Sequence, residues 1–212
     1  MRRAGSVLSF RARRKMYELF VKSIAPTPSM SVLDVGVTPD EKWADSNFFE
    51  TLYPHKAQIT ATSVEDASFL ERKFPPLRFV QTEGGRLPFP DQSFDVVVCF
   101  AVLEHVGERT EQRAFIADLL RVGRRLFLTT PNRGFPLDFH TLLPFVHWLP
   151  QKQHQALLRR LGMEFYAQTK NLNLLTASEL RALFPDDADI TIERFKFLKM
   201  TSNLIAIKRR TK

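Results

Sequence analysis

Short apolar runs alternate along the chain with segments of helical periodicity. We predict a β-strand for each run that is bounded by turn-forming residues, namely 31–36, 57–63, 77–81, 94–100 and 124–130. The polar segments between them predict helices over 43–53, 64–73 and 109–121. Strands that alternate with helices indicate a parallel sheet covered by helices on both faces.

Both ends of the chain depart from this alternation. Residues 7–24 place apolar positions between basic ones and predict an amphipathic helix that ends before Pro26. Residues 135–150 are rich in Pro, Phe, His and Leu and have no long period. Two helices (151–161 and 176–184) and two strands (189–198 and 201–208) are predicted after them. The long gap before the last two strands is typical of a functional cap or lid.

The most informative segment surrounds the fourth predicted strand. Leu87-Pro88-Phe89-Pro90-Asp91-Gln92-Ser93-Phe94-Asp95 leads into a continuous apolar run, and Val102-Leu103-Glu104-His105-Val106 follows it. Asp91-Gln92-Ser93 favours a turn, and the run itself favours a strand that is buried on both faces. This segment resembles the fourth strand of class I S-adenosylmethionine (SAM) dependent methyltransferases of the type 11 kind. The motifs that carry the resemblance lie within residues 31–131.

The resemblance implies a Rossmann-like α/β fold. We expect a doubly wound, mostly parallel seven-stranded sheet with an antiparallel last strand. Residues 1–30 would form a basic amphipathic helix or cap, and residues 31–212 the methyltransferase-like domain. Within that domain, residues 133–185 are expected to be a substrate cap insert.

Composition excludes several classes of protein. A chain of 212 residues with 44% hydrophobic content suits one domain with a full core. Its single cysteine, Cys99, rules out an internal disulfide, and the spacing of five histidines argues against a structural zinc site, so we predict no metal. No apolar run approaches the roughly 20 residues of a membrane-spanning helix. The basic N-terminus lacks the features of a secretory signal.

The net charge of +8 is concentrated at the two ends of the chain. Residues 1–22 carry seven Lys or Arg against one Glu, and the last five residues carry four Lys or Arg, so the body between them is slightly acidic. Basic ends attract anionic surfaces, whether phospholipid or nucleic acid. We expect a cytoplasmic protein. Peripheral contact of its N-terminal helix with an anionic membrane is one option for the role of these basic residues.

The resemblance places the cofactor S-adenosylmethionine at the carboxyl ends of the first strands. Asp34 and Gly36 close the first strand, where the family usually has a loop of three glycines. Only Gly36 matches, because Thr38 and Asp40 stand where the later glycines would fall, so the glycine-rich motif is degenerate and the loop is bulkier. The alternative interpretation is that Asp34 and Gly36 only terminate a strand.

Further cofactor contacts are expected at the next strand ends. The resemblance puts Ser63 where the family has an acidic residue that holds the ribose hydroxyls. Glu65 or Asp66, just beyond it, would reach these hydroxyls instead, or would serve only as favourable charge at a helix N-terminus. Glu83 stands at the acidic position that accepts from the adenine amino group, and Gly84 would offer its backbone N–H. Phe100 would begin the loop beneath the methionine part, although a plain core position explains it equally well.

Two histidines are candidate catalytic bases. Methyl transfer from a sulfonium depends mainly on positioning, and a base is needed only when the acceptor must lose a proton. His105, in the helix entry after strand four, and His140, which Asp138 would orient, are suited to that role because imidazole titrates near neutrality. His105 also has an architectural interpretation, since this helix entry occurs in methyltransferases of many substrates.

The segment after strand five is where the family builds its acceptor pocket. We expect Arg133 to hold an anionic group of the acceptor, and Phe135, His147 and Trp148 to line an apolar pocket or lid. The alternative is a capping turn whose histidines satisfy backbone carbonyls.

The leading hypothesis is a SAM-dependent methyltransferase that acts on a small-molecule or lipid- or sugar-linked acceptor at oxygen. One alternative is an RNA methyltransferase that uses the basic termini as phosphate contacts, although no motif for base amines is present. Another is a non-catalytic binding module that has kept the fold and lost the cofactor. One scaffold serves many acceptors, so the fold does not choose between them.

Overall fold

The computed structural model describes residues 2–41 and 46–209, with side chains placed from residue 10 onward. Six α-helices are described: α1 (Arg2–Ile24), α2 (Phe48–Leu52), α3 (Phe69–Lys73), α4 (Arg109–Val122), α5 (Gln151–Arg160) and α6 (Ala177–Arg181). Seven strands are described: β1 (Val32–Val35), β2 (Ile59–Ser63), β3 (Arg78–Gln81), β4 (Phe94–Phe100), β5 (Gly123–Pro131), β6 (Ile190–Phe197) and β7 (Met200–Lys208).

The strands form one seven-stranded sheet in the order β3-β2-β1-β4-β5-β7-β6. β1 pairs in parallel with both β2 and β4, so Val32 lies opposite Ile59 on one side and Val96 on the other. The last strand runs antiparallel. The predicted Rossmann-like α/β fold is therefore confirmed.

Three predicted helices are clearly shorter than the sequence pattern suggested, and one of them, predicted over 176–184, is α6 (Ala177–Arg181). The helix predicted over 64–73 begins only at Phe69, because the Asp66 carboxylate accepts the Ser68 backbone N–H at 2.9 Å and forms a local turn in place of a helical one. The helix predicted over 43–53 begins only at Phe48, because Asn47 before it has a left-handed backbone with a φ of 52°; residues 42–45 lie outside the described part of the chain.

The chain forms two compact units. The first unit comprises residues 1–100, 118–127 and 207–212, and contains β1 to β4. The second comprises residues 101–117 and 128–206, and contains β6, α5 and α6.

The first unit has an aromatic core beneath α1. Phe20 is fully buried, and its ring packs edge-on against Phe49 at 5.3 Å and Phe127 at 5.5 Å between centroids. Met16 and Ile24 are buried on the same side of the helix, one turn to either side of Phe20. The apolar side of the described part of α1 is thus used in packing, as expected of an amphipathic helix that covers a sheet.

None of the helices in the described residues combines the length and the apolarity needed to cross a bilayer.

Candidate cofactor and acceptor sites

The carboxyl ends of β3, β2, β1 and β4 are neighbours in the first unit, because these four strands are parallel and adjacent in the sheet. A ligand of an open α/β sheet binds at such an edge. Of the predicted cofactor residues at these ends, Gly36, Glu65, Glu83 and Gly84 are exposed, whereas Asp34 and Ser63 are buried.

The loop after β1 is held by an asparagine. Gly36 has a φ of 95°, a value that favours glycine. The backbone N–H of Thr38 donates to Asn47 Oδ1 at 2.9 Å, and Asn47 Nδ2 donates back to the Thr38 carbonyl at 2.8 Å. These two hydrogen bonds hold the loop after β1 in place, in a chain where Thr38 and Asp40 stand at the positions of the later glycines. The sequence pattern gave no indication of the role of Asn47.

Asp34 is buried and faces a second buried carboxyl, Glu50. Burial and the neighbouring charge of Glu50 raise the pKa of Asp34 well above its usual range. Burial likewise raises the pKa of Glu50, although its contact with Asp34 opposes the rise. Two carboxyls in one buried site cannot both ionise cheaply, so this pair holds a proton.

Ser63 and Glu65 occupy the end of β2. The Ser63 hydroxyl accepts the backbone N–H of Glu65 at 3.3 Å, and the Ser63 carbonyl accepts that of Thr82 at 2.9 Å. Ser63 therefore closes the turn, and Glu65 and Asp66 beyond it are both exposed to solvent.

Glu83 and Gly84 follow β3. Glu83 is exposed, and within residues 10–41 and 46–209 no hydrogen bond or ion pair reaches its carboxylate. Gly84 has a φ of 83°, at which a side chain would be strained, so its backbone is open to close approach. These groups fit an adenosyl cofactor, which offers hydroxyl and amino donors to carboxylates.

Phe100, at the end of β4, is half-buried. Its ring lies 4.8 Å from that of Phe48 and 5.8 Å from that of Phe127, between centroids. Phe100 is thus part of the aromatic packing of the first unit and keeps a partly open face.

The second unit brings both candidate bases together. The rings of His105 and His140 lie 4.9 Å apart, edge to face. Glu104 is fully buried, and its Oε1 is 3.9 Å from His140 Nε2. We call Glu104, His105 and His140 the His–Glu cluster. Glu104 was not among the candidate site residues predicted from the sequence. The one sign of its position there is that it is a charged residue within an otherwise apolar helix entry.

Asp138 orients His140, as the sequence suggested. The Asp138 Oδ1 accepts from His140 Nδ1 at 3.0 Å, and its Oδ2 accepts from the Thr141 hydroxyl at 2.7 Å. Burial would raise the pKa of Asp138, but the hydrogen bonds from His140 and Thr141 outweigh it and hold that pKa at about 2. Burial would lower the pKa of His140, but the hydrogen bond to Asp138 and the charge of Glu104 raise it above its usual value.

The pKa of Glu104, which is fully buried, is shifted in the opposite direction to that of Asp138. Burial raises the pKa of Glu104, although the nearby His105 and His140 oppose the rise. Its Oε2 accepts the Thr130 hydroxyl at 3.0 Å, whereas Oε1 has no hydrogen-bond partner among the described residues.

A cleft of about 640 Å³ lies within the second unit, a volume typical of small-ligand sites. Three of the four predicted acceptor residues line it: Arg133, His147 and Trp148. Tyr166 also lines the cleft, and its ring lies 6.1 Å from that of His140, so the cleft extends close to the His–Glu cluster.

The predicted acceptor residues have structural partners of their own. Arg133 Nη1 lies 3.1 Å from Glu179 Oε1, and Arg109 lies 3.4 Å from the same oxygen. His147 is buried, with Nε2 at 2.7 Å from the Phe135 carbonyl, which agrees with a histidine that satisfies a backbone carbonyl.

Trp148 and Phe135 differ in exposure. The Trp148 indole N–H donates to the Arg133 carbonyl at 2.8 Å, and half of its surface remains exposed. Phe135 is buried, and its ring stacks on that of Phe139 at 5.5 Å between centroids. Phe135 does not line the cleft.

Comparison with known proteins supports the resemblance. Residues 45–126 match the family model described as "Methyltransferase domain". A probable S-adenosylmethionine-dependent methyltransferase of Mycobacterium tuberculosis is 32% identical over 78 residues, which cover 36% of this chain and 28% of that protein. The ubiquinone/menaquinone biosynthesis C-methyltransferase UbiE of Shewanella piezotolerans is 30% identical over 127 residues, 56% of this chain and 48% of that protein.

This chain therefore spans less than half the length of these two curated relatives. Among solved structures, the 1,6-didemethyltoxoflavin-N1-methyltransferase of Burkholderia thailandensis superposes with a TM-score of 0.60 at 16% identity, covering 95% of this chain and 79% of that one. The nucleic-acid and non-catalytic alternatives are not favoured by these comparisons. Residues 45–126 therefore resemble a methyltransferase domain, and the seven-stranded sheet has the fold of class I SAM-dependent methyltransferases.

Proposed function

We propose that this chain transfers a methyl group from S-adenosylmethionine to an oxygen of a small-molecule or lipid- or sugar-linked acceptor. The observation that carries the choice of oxygen is the His–Glu cluster of the second unit, where both imidazoles are held by hydrogen bonds beside a buried carboxylate. A hydroxyl acceptor must lose its proton, and such a cluster is suited to that task. An acceptor that needs no deprotonation would not require it.

Cofactor binding is assigned to residues of the first unit. Gly36 and Gly84 offer backbone that a ligand can approach, and Glu65 and Glu83 offer exposed carboxylates that accept from ribose hydroxyls or from the adenine amino group. Bound SAM supplies an electrophilic methyl group, whose bond to sulfur breaks with its electron pair as the acceptor oxygen attacks. Because the leaving group is neutral, positioning by the chain provides much of the acceleration.

Acceptor binding is assigned to the cleft of the second unit. Its lining combines the aromatic surface of Trp148 and Tyr166 with the ion-paired Arg133, Arg109 and Glu179. Most of the other lining residues are also polar, among them Gln151, Gln155, Thr169 and Asn173. We therefore propose an acceptor that combines an aromatic or other apolar part with several polar groups.

The test uses SAM that is labelled with ¹³C in its methyl group. The full chain is incubated with the labelled SAM and the small-molecule extract of cells that lack the protein, and the products are read by ¹³C NMR. We expect label in the region of O-methyl carbons. Label in the C-methyl region, as the name of the UbiE relative would suggest, would contradict the proposal.

A cytoplasmic location and peripheral membrane contact are also proposed. Cys99 is a buried thiol that forms no disulfide, which suits a reducing compartment. On α1, Arg11, Arg14 and Lys15 are exposed, whereas the apolar side is buried, so contact with anionic lipid would be electrostatic. Flotation with vesicles that contain phosphatidylserine should show binding that salt abolishes. Equal flotation with neutral vesicles would contradict this contact.

A further inference from the structure

The His–Glu cluster has the geometry of a metal site. Glu104, His105 and His140 each offer one ligand atom, and the three atoms lie within 4.8 Å of one another. His105 and His140 come from segments 35 residues apart in the chain, so their spacing in the sequence gave no sign of a shared site. The expectation of no metal depended on that spacing alone.

Each imidazole is oriented by its Nδ1. His105 Nδ1 lies 2.7 Å from the Asn171 carbonyl oxygen, and His140 Nδ1 lies 3.0 Å from Asp138 Oδ1. A carbonyl oxygen and a carboxylate only accept, so both Nδ1 atoms carry hydrogen. Metal-binding histidines are usually held in this way, by a carbonyl or carboxylate on the nitrogen that does not bind the metal. Both Nε2 atoms are thereby available as ligands.

The buried carboxylate is a second, independent observation. Glu104 is fully buried, and its Oε1 lacks a hydrogen-bond partner among the described residues, although Oε2 accepts from Thr130. A buried carboxylate oxygen without a partner is costly. A cation bound between Glu104 and the two imidazoles would offset that cost.

We propose that Glu104, His105 and His140 bind a divalent transition-metal ion such as Zn²⁺, Co²⁺ or Mn²⁺. Two imidazoles and one carboxylate favour these ions over Mg²⁺ and Ca²⁺, which prefer oxygen ligands. Three protein ligands leave a coordination position for water or substrate. His105 is exposed, so the site is open to solvent on that side.

The role of the metal rests on the proposed function. An acceptor hydroxyl that binds the open position becomes more acidic, and its proton leaves to solvent. The oxygen lone pair then attacks the methyl carbon of SAM, and the S–CH₃ bonding pair remains on the sulfur of the demethylated cofactor. In this account His105 and His140 serve as ligands and not as general bases.

The competing interpretation is an ion-pair network without metal. Protonated His140 between Asp138 and Glu104 would satisfy the same contacts, since His140 lies 3.0 Å from the former and 3.9 Å from the latter. The two interpretations differ over His105, which would be dispensable in the ion-pair network and is a ligand in the metal site.

The test is a titration of the full chain, purified without a histidine tag and freed of metal with a chelator. Co²⁺ is added and followed by its visible absorbance, and Zn²⁺ is then added to displace it. We expect one equivalent of Co²⁺ to give the spectrum of a histidine-ligated ion, unaffected by excess Mg²⁺. Absence of saturable Co²⁺ and Zn²⁺ binding would overturn the proposal.

Matched variants locate the site. His105→Ala changes an exposed side chain and should fold normally, yet it should weaken Co²⁺ binding by more than the roughly 10- to 100-fold that loss of an outer hydrogen-bond partner costs. Glu104→Gln, which keeps the side-chain volume, should also weaken Co²⁺ binding. The control His55→Ala, in the first unit, should bind Co²⁺ as the wild type does. Unchanged binding in His105→Ala would overturn the proposal.

Methyl transfer measured on the same preparations separates this inference from the proposed function. Metal binding without transfer of the ¹³C label would contradict the proposed methyl transfer but would support the metal site. Undiminished transfer of the labelled methyl group by the metal-free protein would overturn the catalytic role of the metal, whereas the proposed methyl transfer would stand.

Discussion

The carboxylate of Asp138 accepts the Nδ1 hydrogen of His140 at 3.0 Å and so fixes the direction of the Nε2 lone pair. Asp138 itself is held by the Thr141 hydroxyl at 2.7 Å. The orientation of His140 is therefore set by residues that do not belong to the His–Glu cluster. This arrangement makes Asp138 a positioning residue for the proposed metal site.

Asp138→Asn should test that role. The amide has the shape of the carboxylate but is a weaker acceptor, so we expect Co²⁺ affinity to fall by about 10- to 100-fold and the Co²⁺ spectrum to shift. SAM affinity should not change. Asp187→Asn makes the same chemical change at an exposed position of the second unit and serves as the control. A normal Co²⁺ spectrum in Asp138→Asn would refute the positioning role.

Asp95 joins the starts of β4 and β1, and its ionisation should contribute to stability. Its Oδ2 accepts the backbone N–H and the hydroxyl of Ser31 at 3.0 and 3.1 Å, and its Oδ1 pairs with Arg124 at 3.0 Å. Partial burial raises the pKa of Asp95, but the hydrogen bonds from Ser31 and the charge of Arg124 outweigh it, so the net shift is downward.

A carboxyl with a lowered pKa in the folded state stabilises the protein above its unfolded pKa of about 3.9 and loses that contribution as the pH falls. We expect Asp95→Asn to lower the urea midpoint at pH 7 and to lose less stability than the wild type as the pH falls below about 4. Urea unfolding at a series of pH values measures this difference. Parallel pH curves for the two proteins would contradict it.

Ionisation of the buried Asp34–Glu50 pair should destabilise the folded protein, whereas ionisation of Asp95 should stabilise it. Both pKa values are raised, so folding favours the protonated forms, and stability declines as the pH rises above the unfolded values of about 4. Glu50→Gln removes one ionisable group and supplies an N–H donor for Asp34. We expect its melting temperature to exceed that of the wild type by an amount that grows as the pH rises above about 4. A constant difference across that range would refute the shared-proton account.

α1 should be part of the core of the first unit. Phe20 is fully buried against Phe49 and Phe127, so Phe20→Ala should cost about 3–5 kcal/mol in the free energy of unfolding. Val21, on the same helix, is 41% exposed, and Val21→Ala should cost less than about 0.5 kcal/mol. Urea unfolding measures both values. Similar small costs would indicate that the helix does not pack on the sheet.

Local pattern predicted the strands better than the helices. The bounds predicted for β4, Phe94–Phe100, agree with the structure, because the run Val96–Cys99 is apolar and buried on both faces of the sheet. The start of α3 depends on the turn in which the Asp66 carboxylate accepts the Ser68 backbone N–H. Hydrophobic periodicity does not reveal whether such an N–H bonds to a side chain or to a helical carbonyl.

The sites were predictable only where contacts are local. Asp138 and His140 lie two residues apart, and their hydrogen bond was anticipated. The approach of His105 to His140 depends on how the segment after β5 folds back within the second unit, which no short-range pattern encodes. Glu50 likewise meets Asp34 through tertiary packing.

Binding of the cofactor to the first unit is the claim on which the enzymatic account depends, and calorimetric titration of the purified full chain with SAM tests it directly. We predict one saturable site, and Glu83→Ala should weaken it by about 10- to 100-fold, as expected for loss of a charged hydrogen bond. Glu164→Ala, which removes another exposed carboxylate, should bind SAM normally. The absence of binding heat with both SAM and its demethylated product would contradict the account.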